Sequence, residues 1–149
     1  MARIIAYQST TPATDDLLLG TQKTTSGTNK TNPTKNFTVD SVVQAGLGYT
    51  VYTALVTQTT GDPVATVLKN NTGYTYTWAR TAGGVYTLTA NGNAFTVNKT
   101  IVFNNSGIDN GGGYTPPQWT RTSDTVITVT TGGIDNAMQN AAFEVRIYS

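Results

Sequence analysis

The chain has no cysteine and no histidine among its 149 residues. Without cysteine no disulfide can staple the fold, which excludes the disulfide-scaffold families. Without either residue the usual zinc ligands are missing. So are the thiol nucleophile and the imidazole that most often moves protons in an active site. Charge is scarce too. Only 11% of the residues are charged, against roughly a quarter in an ordinary domain. Nine basic side chains against eight acidic ones leave a net charge of +1. The basic residues run from Arg3 to Arg146 without a cluster, so neither nucleic acid nor an anionic membrane finds an electrostatic foothold. No apolar run approaches the roughly 20 residues of a membrane span. The apolar piece Ile4, Ile5, Ala6 is too short for a secretory core, and export by a standard signal peptide is not expected.

What the chain has in excess is threonine, about a fifth of all residues. Threonine is β-branched and fits a pleated surface. Fifteen glycines and many asparagines supply the turns between strands. With 38% hydrophobic residues, the chain can build one globular domain plus a tail without metal or disulfide staples. The composition argues for an all-β protein.

From Gly48 onward, strand-like runs recur at intervals of about ten residues. Tyr49–Thr57 leads into a turn at Gly61, Asp62 and Pro63, and Val64–Leu68 ends at "KNNTG". Tyr74–Arg80 alternates Tyr74, Tyr76 and Trp78 with Thr75 and Thr77, the period of two of a half-buried strand. "TAGG" turns the chain into Val85–Ala90, and "NGN" at 91–93 is a hairpin signal. Ala94–Phe103, Thr125–Thr131 and Ala142–Tyr148 follow, the last with Phe143, Val145 and Ile147 inward and Glu144 and Arg146 outward. Seven or eight short strands with regular turns predict an antiparallel β-sandwich of jelly-roll or immunoglobulin-like type over residues 48–149. Helix signals are thin: one or two turns over Thr38–Ala45, capped by Thr38 or Asp40, and a short turn near Asp135. Two loops share the tetrapeptide "GIDN", at 107–110 and 133–136, and read as equivalent Asx-type turns.

Residues 1–47 read as an extended N-terminal arm for docking or oligomerisation. "QKTTSGTNKTNPTK" has almost nothing to bury, and such a composition does not fold by itself. Its apolar contacts are expected from Ile4 and Ile5, by strand addition to a neighbouring sheet, and from Leu17, Leu18, Leu19 and Phe37.

Candidate chemistry is sparse. The acids are Asp15, Asp16, Asp40, Asp62, Asp109, Asp124, Asp135 and Glu144. A glycosidase needs two carboxyls facing one another across a cleft. Asp15 and Asp16 are adjacent and point apart on an extended chain, and Glu144 stands outward beside Arg146. One aspartate in "GIDNGGG" is too few for calcium, which takes six to eight oxygens. The triple glycine at 111–113 lacks the lysine of a phosphate loop. The sequence therefore predicts no enzyme, no cofactor and no metal. Exposed aromatics can stack on sugars, and Tyr114 and Trp119 in the long loop Asn104–Trp119 are the candidate glycan contacts, with loop packing as the alternative.

Two boxes carry a resemblance. "DDLLLGT" (Asp15–Thr21) and "TKNFT" (Thr34–Thr38), joined by a polar spacer, resemble a pattern near the N-termini of tailed-phage virion proteins. The body, with "ALVTQTTGDPVATVLKNNTGYTYTWAR", "NKTIVF" and a terminal "FEVRIY", is similar to small β-domains of phages of Bacteroidetes-like hosts. The resemblance implies a virion structural protein assembled in the host cytoplasm: a capsid decoration or head-fibre protein, with a tail or neck accessory as the alternative. It implies partners among capsid, portal or tail proteins and a homo-oligomer, with a trimer favoured. It brings no catalytic residues. A glycan-binding β-sandwich module for host adhesion is the competing reading.

Overall fold

The structure, a computed structural model, describes residues 11–21, 34–105 and 117–149. The chain divides into two compact units, Met1–Leu47 and Gly48–Ser149.

The larger unit is an antiparallel β-sandwich. Among the described residues its eight strands are β3 (Tyr49–Thr57), β4 (Val64–Asn70), β5 (Tyr76–Ala82), β6 (Val85–Ala90), β7 (Thr100–Asn104), β8 (Gln118–Arg121), β9 (Val126–Thr130) and β10 (Ala141–Tyr148). One sheet has the order β4-β3-β10-β7 and the other β5-β6-β9-β8. The chain crosses between the sheets after β4, β6, β7 and β9. Alternation along each strand decides which side chains meet in the middle. Tyr52, Ala54 and Val56 from β3 and Phe143 and Val145 from β10 face Trp78, Tyr86, Leu88, Ile127 and Val129 from the opposite sheet, all buried. The Trp78 and Phe143 rings meet edge to face at 4.8 Å, and the Trp78 indole N–H donates to the Tyr52 hydroxyl at 3.4 Å. Each such aromatic pair adds about 0.5–1.5 kcal/mol beyond the area it buries.

Several expected boundaries move. The strand expected over Ala94–Phe103 is only Thr100–Asn104, and "NGN" closes no hairpin. The chain must change sheets there, so Ala94 and Phe95 plug the space between the sheets instead of pairing in one. Asn91 ends β6 by a side-chain contact, its Oδ1 accepting from the Thr75 N–H at 3.1 Å. Lys99 N–H then closes a turn onto the Thr96 carbonyl, with Asn98 at φ 60°. Trp119, expected in a loop, lies on β8 and pairs with Val129. Residues near Asp135 form turns and no helix, and the first "GIDN" lies outside the described residues.

The smaller unit departs most from expectation. The segment read as an arm contains β1 (Leu17–Thr21), β2 (Thr34–Thr38) and α1 (Val39–Leu47). The two boxes find each other: Leu17 pairs with Thr38, Leu18 with Phe37 and Gly20 with Lys35 in an antiparallel ladder. Gly20 leaves the seat for Phe37, whose ring lies 3.1 Å from where a Cβ on Gly20 would stand. Helix α1 begins where expected. Thr38 Oγ1 accepts from the Ser41 N–H at 3.1 Å, and Asp40 sits in the first turn against the helix dipole. Two of its free N–H groups, those of Val39 and Asp40, donate to the Asp16 and Thr14 carbonyls at 2.9 and 3.1 Å. Gly48 at φ 68° follows the last helical residue, the left-handed position that glycine takes at helix ends.

One glycine in the sandwich is irreplaceable on geometry. Gly84, in the β5–β6 turn, has φ 64°, and a Cβ there would lie 2.5 Å from the Ile134 backbone nitrogen. The neighbouring Gly83 has no such neighbour within 3.7 Å. Gly84→Ala is expected to cost about 2–4 kcal/mol in urea unfolding, and Gly83→Ala no more than about 0.5 kcal/mol. Equal effects of the two would contradict this packing.

Candidate functional site

Three places bear on the residues that the sequence singles out, and they differ in what they leave available.

The first is a cluster around Asp135. Its carboxylate accepts from the Arg80 guanidinium in a two-pronged contact, Nε at 3.1 Å and NH2 at 2.6 Å. It also accepts from the Gly84 N–H at 3.0 Å and lies 2.8 Å from the Tyr86 hydroxyl. The Tyr86 hydroxyl stands at the same distance from Gln58 Oε1, so one proton is shared between two acceptors. Gln58 is itself buried and takes the Asn136 N–H at 2.7 Å. An aspartate, an arginine and a tyrosine together have the composition of a catalytic cluster, but Asp135 is already tied to Arg80, Gly84 and Tyr86 within the protein. The cluster is a clamp that fastens the loop 131–140 to the β5–β6 turn and to the end of β3. Arg80 beside Asp135, followed by the Gly84 N–H, holds the carboxyl well below the usual carboxylate range. Burial, followed by the Asp135 contact, pushes the Tyr86 hydroxyl up to about 12.

The other described acids of the sandwich are engaged as well. Asp62 accepts from the Arg80 N–H at 2.7 Å, Asp124 pairs with Arg121, and Glu144 pairs with Arg146 at 2.6 Å. Among the described residues no group of three acidic side chains is placed to hold a metal ion.

The second place is the pair of candidate glycan contacts. Trp119 faces inward from β8, half-buried and packed against the core. Tyr114 lies outside the described residues, as do Ile4 and Ile5.

The third place is the N-terminal unit. Leu17, Leu18 and Leu19 on β1 are 63%, 46% and 77% exposed, while Phe37 is half-buried over Gly20. Helix α1 repeats the pattern. Val39, Val42, Val43 and Leu47 recur at the three-to-four-residue spacing of one helical face, yet no residue of the helix is buried. Backbone geometry is therefore satisfied locally while the apolar side chains face out. The sequence marked Leu17–Leu19 through their place in a polar stretch. The valines of α1 were missed because only the helix, once formed, lines them up.

No family model, curated protein or solved structure matches this chain.

The clamp generates a pH prediction. A tyrosine whose folded pKa is raised contributes stability that is complete below the unfolded value near 10 and is lost as pH rises towards about 12. A carboxylate whose folded pKa is lowered contributes stability present above about pH 4 and lost as pH falls below it. Urea midpoints should hold level between these limits and fall on both sides. Tyr86→Phe should make the alkaline fall shallower, and Asp135→Asn should flatten the acid fall; unchanged limbs in both variants would refute the assignment.

Proposed function

We propose that this chain is a structural component of a bacteriophage particle, a capsid decoration or head-fibre protein attached through its N-terminal unit. The observation that carries the reading is the set of outward apolar side chains on an ordered hairpin and helix, Leu17, Leu18 and Leu19 with Val42, Val43 and Leu47. A two-stranded hairpin alone is marginal in water. Fully burying a leucine or valine contributes roughly 1.5–3 kcal/mol, so an adjacent subunit gains substantially by covering this surface. Repeating shells and fibres supply such subunits in register. The two boxes that resemble phage virion proteins overlap the strands that pair as β1 and β2, so the resemblance falls on the hairpin that carries these exposed leucines. A tail or neck accessory would dock by the same means.

The reading assigns roles by residue. Leu17, Leu18 and Leu19 enter the neighbour's surface, Phe37 holds the hairpin together over Gly20, and α1 adds a second apolar stripe. The sandwich is the body displayed outward. The partner is another virion protein, and copies of this chain assemble beside one another, with a trimer favoured.

The test uses the full chain carrying Leu17→Ser and Leu19→Ser together. Both residues are exposed, so the thermal transition of the sandwich should stay within a degree or two of the parent. Incorporation into particles, read by protein composition of purified virions, should fall at least about tenfold. Normal incorporation of the double variant would overturn the proposal.

A further inference from the structure

We propose that the outer face of the β4-β3-β10-β7 sheet carries a shallow binding site for a neutral saccharide. The proposal is independent of the docking function, because it concerns the larger unit alone.

The pleat builds the site from three cross-strand rows. On the outer face, Ile101, Arg146 and Val51 form one row, and Phe103, Glu144 and Thr53 the next. In the third, Ala142 pairs with Leu55, and Asn105 joins through its N–H to the Ala142 carbonyl at 3.1 Å. The small Ala142 between larger neighbours leaves a cleft of about 380 Å³, bordered by Phe103, Asn105, Glu144, Arg146 and Thr53. That volume is at the lower end of the range for small-molecule sites.

The chemistry of the walls selects the ligand. Arg146 lies between two rings, its guanidinium carbon 4.7 Å from the Phe103 centroid and 4.9 Å from that of Tyr49. It covers one face of Phe103, whose ring stays half-exposed at the border of the cleft. Arg146 Nε donates to Glu144 Oε1 at 2.6 Å, so the charged pair is neutral as a unit and offers little to an ionic ligand. Glu144 is fixed from a second side by the Thr53 hydroxyl, which donates to Oε2 at 3.2 Å. The carboxylate is half-buried and borders the cleft, so it stands there as a held acceptor. Asn105 accepts the Ala142 N–H at 3.0 Å through Oδ1, which orients its amide NH2 as a donor. A half-exposed aromatic ring beside a fixed acceptor and a fixed donor matches a sugar ring, which presents C–H groups on its face and hydroxyls around its rim. Because Arg146, Thr53 and the Ala142 N–H already hold the polar groups, little ordering is needed on binding.

The experiment is amide NMR of the full chain titrated separately with lactose, maltose, cellobiose and diacetylchitobiose at millimolar concentrations. At least one disaccharide is expected to shift the amides of Phe103, Asn105, Ala142 and Glu144 in a saturable way. Ala142→Leu fills the cleft without removing a polar group and should abolish the shifts. Glu144→Gln keeps the shape and should weaken binding roughly tenfold by loss of a charged acceptor. Thermal unfolding of each variant confirms that the sandwich is intact; should Ala142→Leu misfold, Phe103→Ala replaces it. Absence of saturable shifts with all four sugars would overturn the proposal. So would shifts confined to another surface, or binding that survives both Ala142→Leu and Glu144→Gln. None of these readouts involves a particle, so failure here is distinct from failure of the docking proposal.

Discussion

Strand β10 is hydrogen-bonded on both sides, to β3 and to β7, and the alternation of its side chains governs both surfaces of its sheet. Inward, Phe143 and Val145 meet the opposite sheet, with Phe143 set edge-on against Trp78. Outward, Glu144 and Arg146 pair with each other and lean on residues of β3 and β7. A shift of register by one residue would exchange these two sets and bury an ion pair where a phenylalanine now sits. The desolvation cost of burying two charges, added to the loss of Phe143 and Val145 from the core, makes that alternative worse than the native pairing. Core and cleft are thus two consequences of one register.

A clamp at one end of the sandwich locks that register in place. The end of β3, through Gln58, and the loop that leads into β10 meet at Tyr86 and Asp135. Gln58 also donates its backbone N–H to the Met138 carbonyl at 2.7 Å, three residues before β10 begins. Polar groups of this kind are stabilising only when every partner is present, since each unpaired group would keep its full desolvation cost. Gly84 belongs to the same construction. Only a residue without a Cβ lets the β5–β6 turn approach Gly133 closely enough for its N–H to reach Asp135.

The sandwich was legible wherever burial follows period two. Tyr49–Thr57 and Val85–Ala90 have the predicted limits, and the inward set Phe143, Val145, Ile147 is the observed one. Legibility failed where local signals compete with a change of sheet. "NGN" has hairpin chemistry, but Phe95 is more valuable between the sheets than on a strand, and tertiary packing overrides the turn propensity. Trp119 looked like a loop aromatic because its strand has four residues and Thr120 beside it gives no apolar alternation beyond one position. The N-terminal hairpin was illegible for a different reason. Its strands are separated in sequence by a long polar stretch, and nothing in composition says that Gly20 and Phe37 fit together. The Asp135 clamp was half visible: the echo of "GIDN" drew attention to the loop, but its partners Arg80 and Tyr86 lie about 50 residues away and no local pattern announces them.

The two outer faces of the sandwich answer the question raised by so much threonine and so little charge. On the β5-β6-β9-β8 sheet, Thr87 of β6 is flanked by Ala79 and Thr128, and Thr128 in turn by Thr120. Thr77 lies beside Thr89 in the adjoining row. These hydroxyls hydrate the surface while the β-branched carbons favour the strand, so one residue type meets both demands without ionic groups. The opposite sheet instead places Phe103, Tyr49, Tyr148 and Ile101 outward around one ion pair. Hydration alone does not require that arrangement, because threonine would serve there as well as it does across the sandwich. An aromatic, partly exposed face on a protein that solves solubility with threonine elsewhere is the ground on which the proposed saccharide site rests.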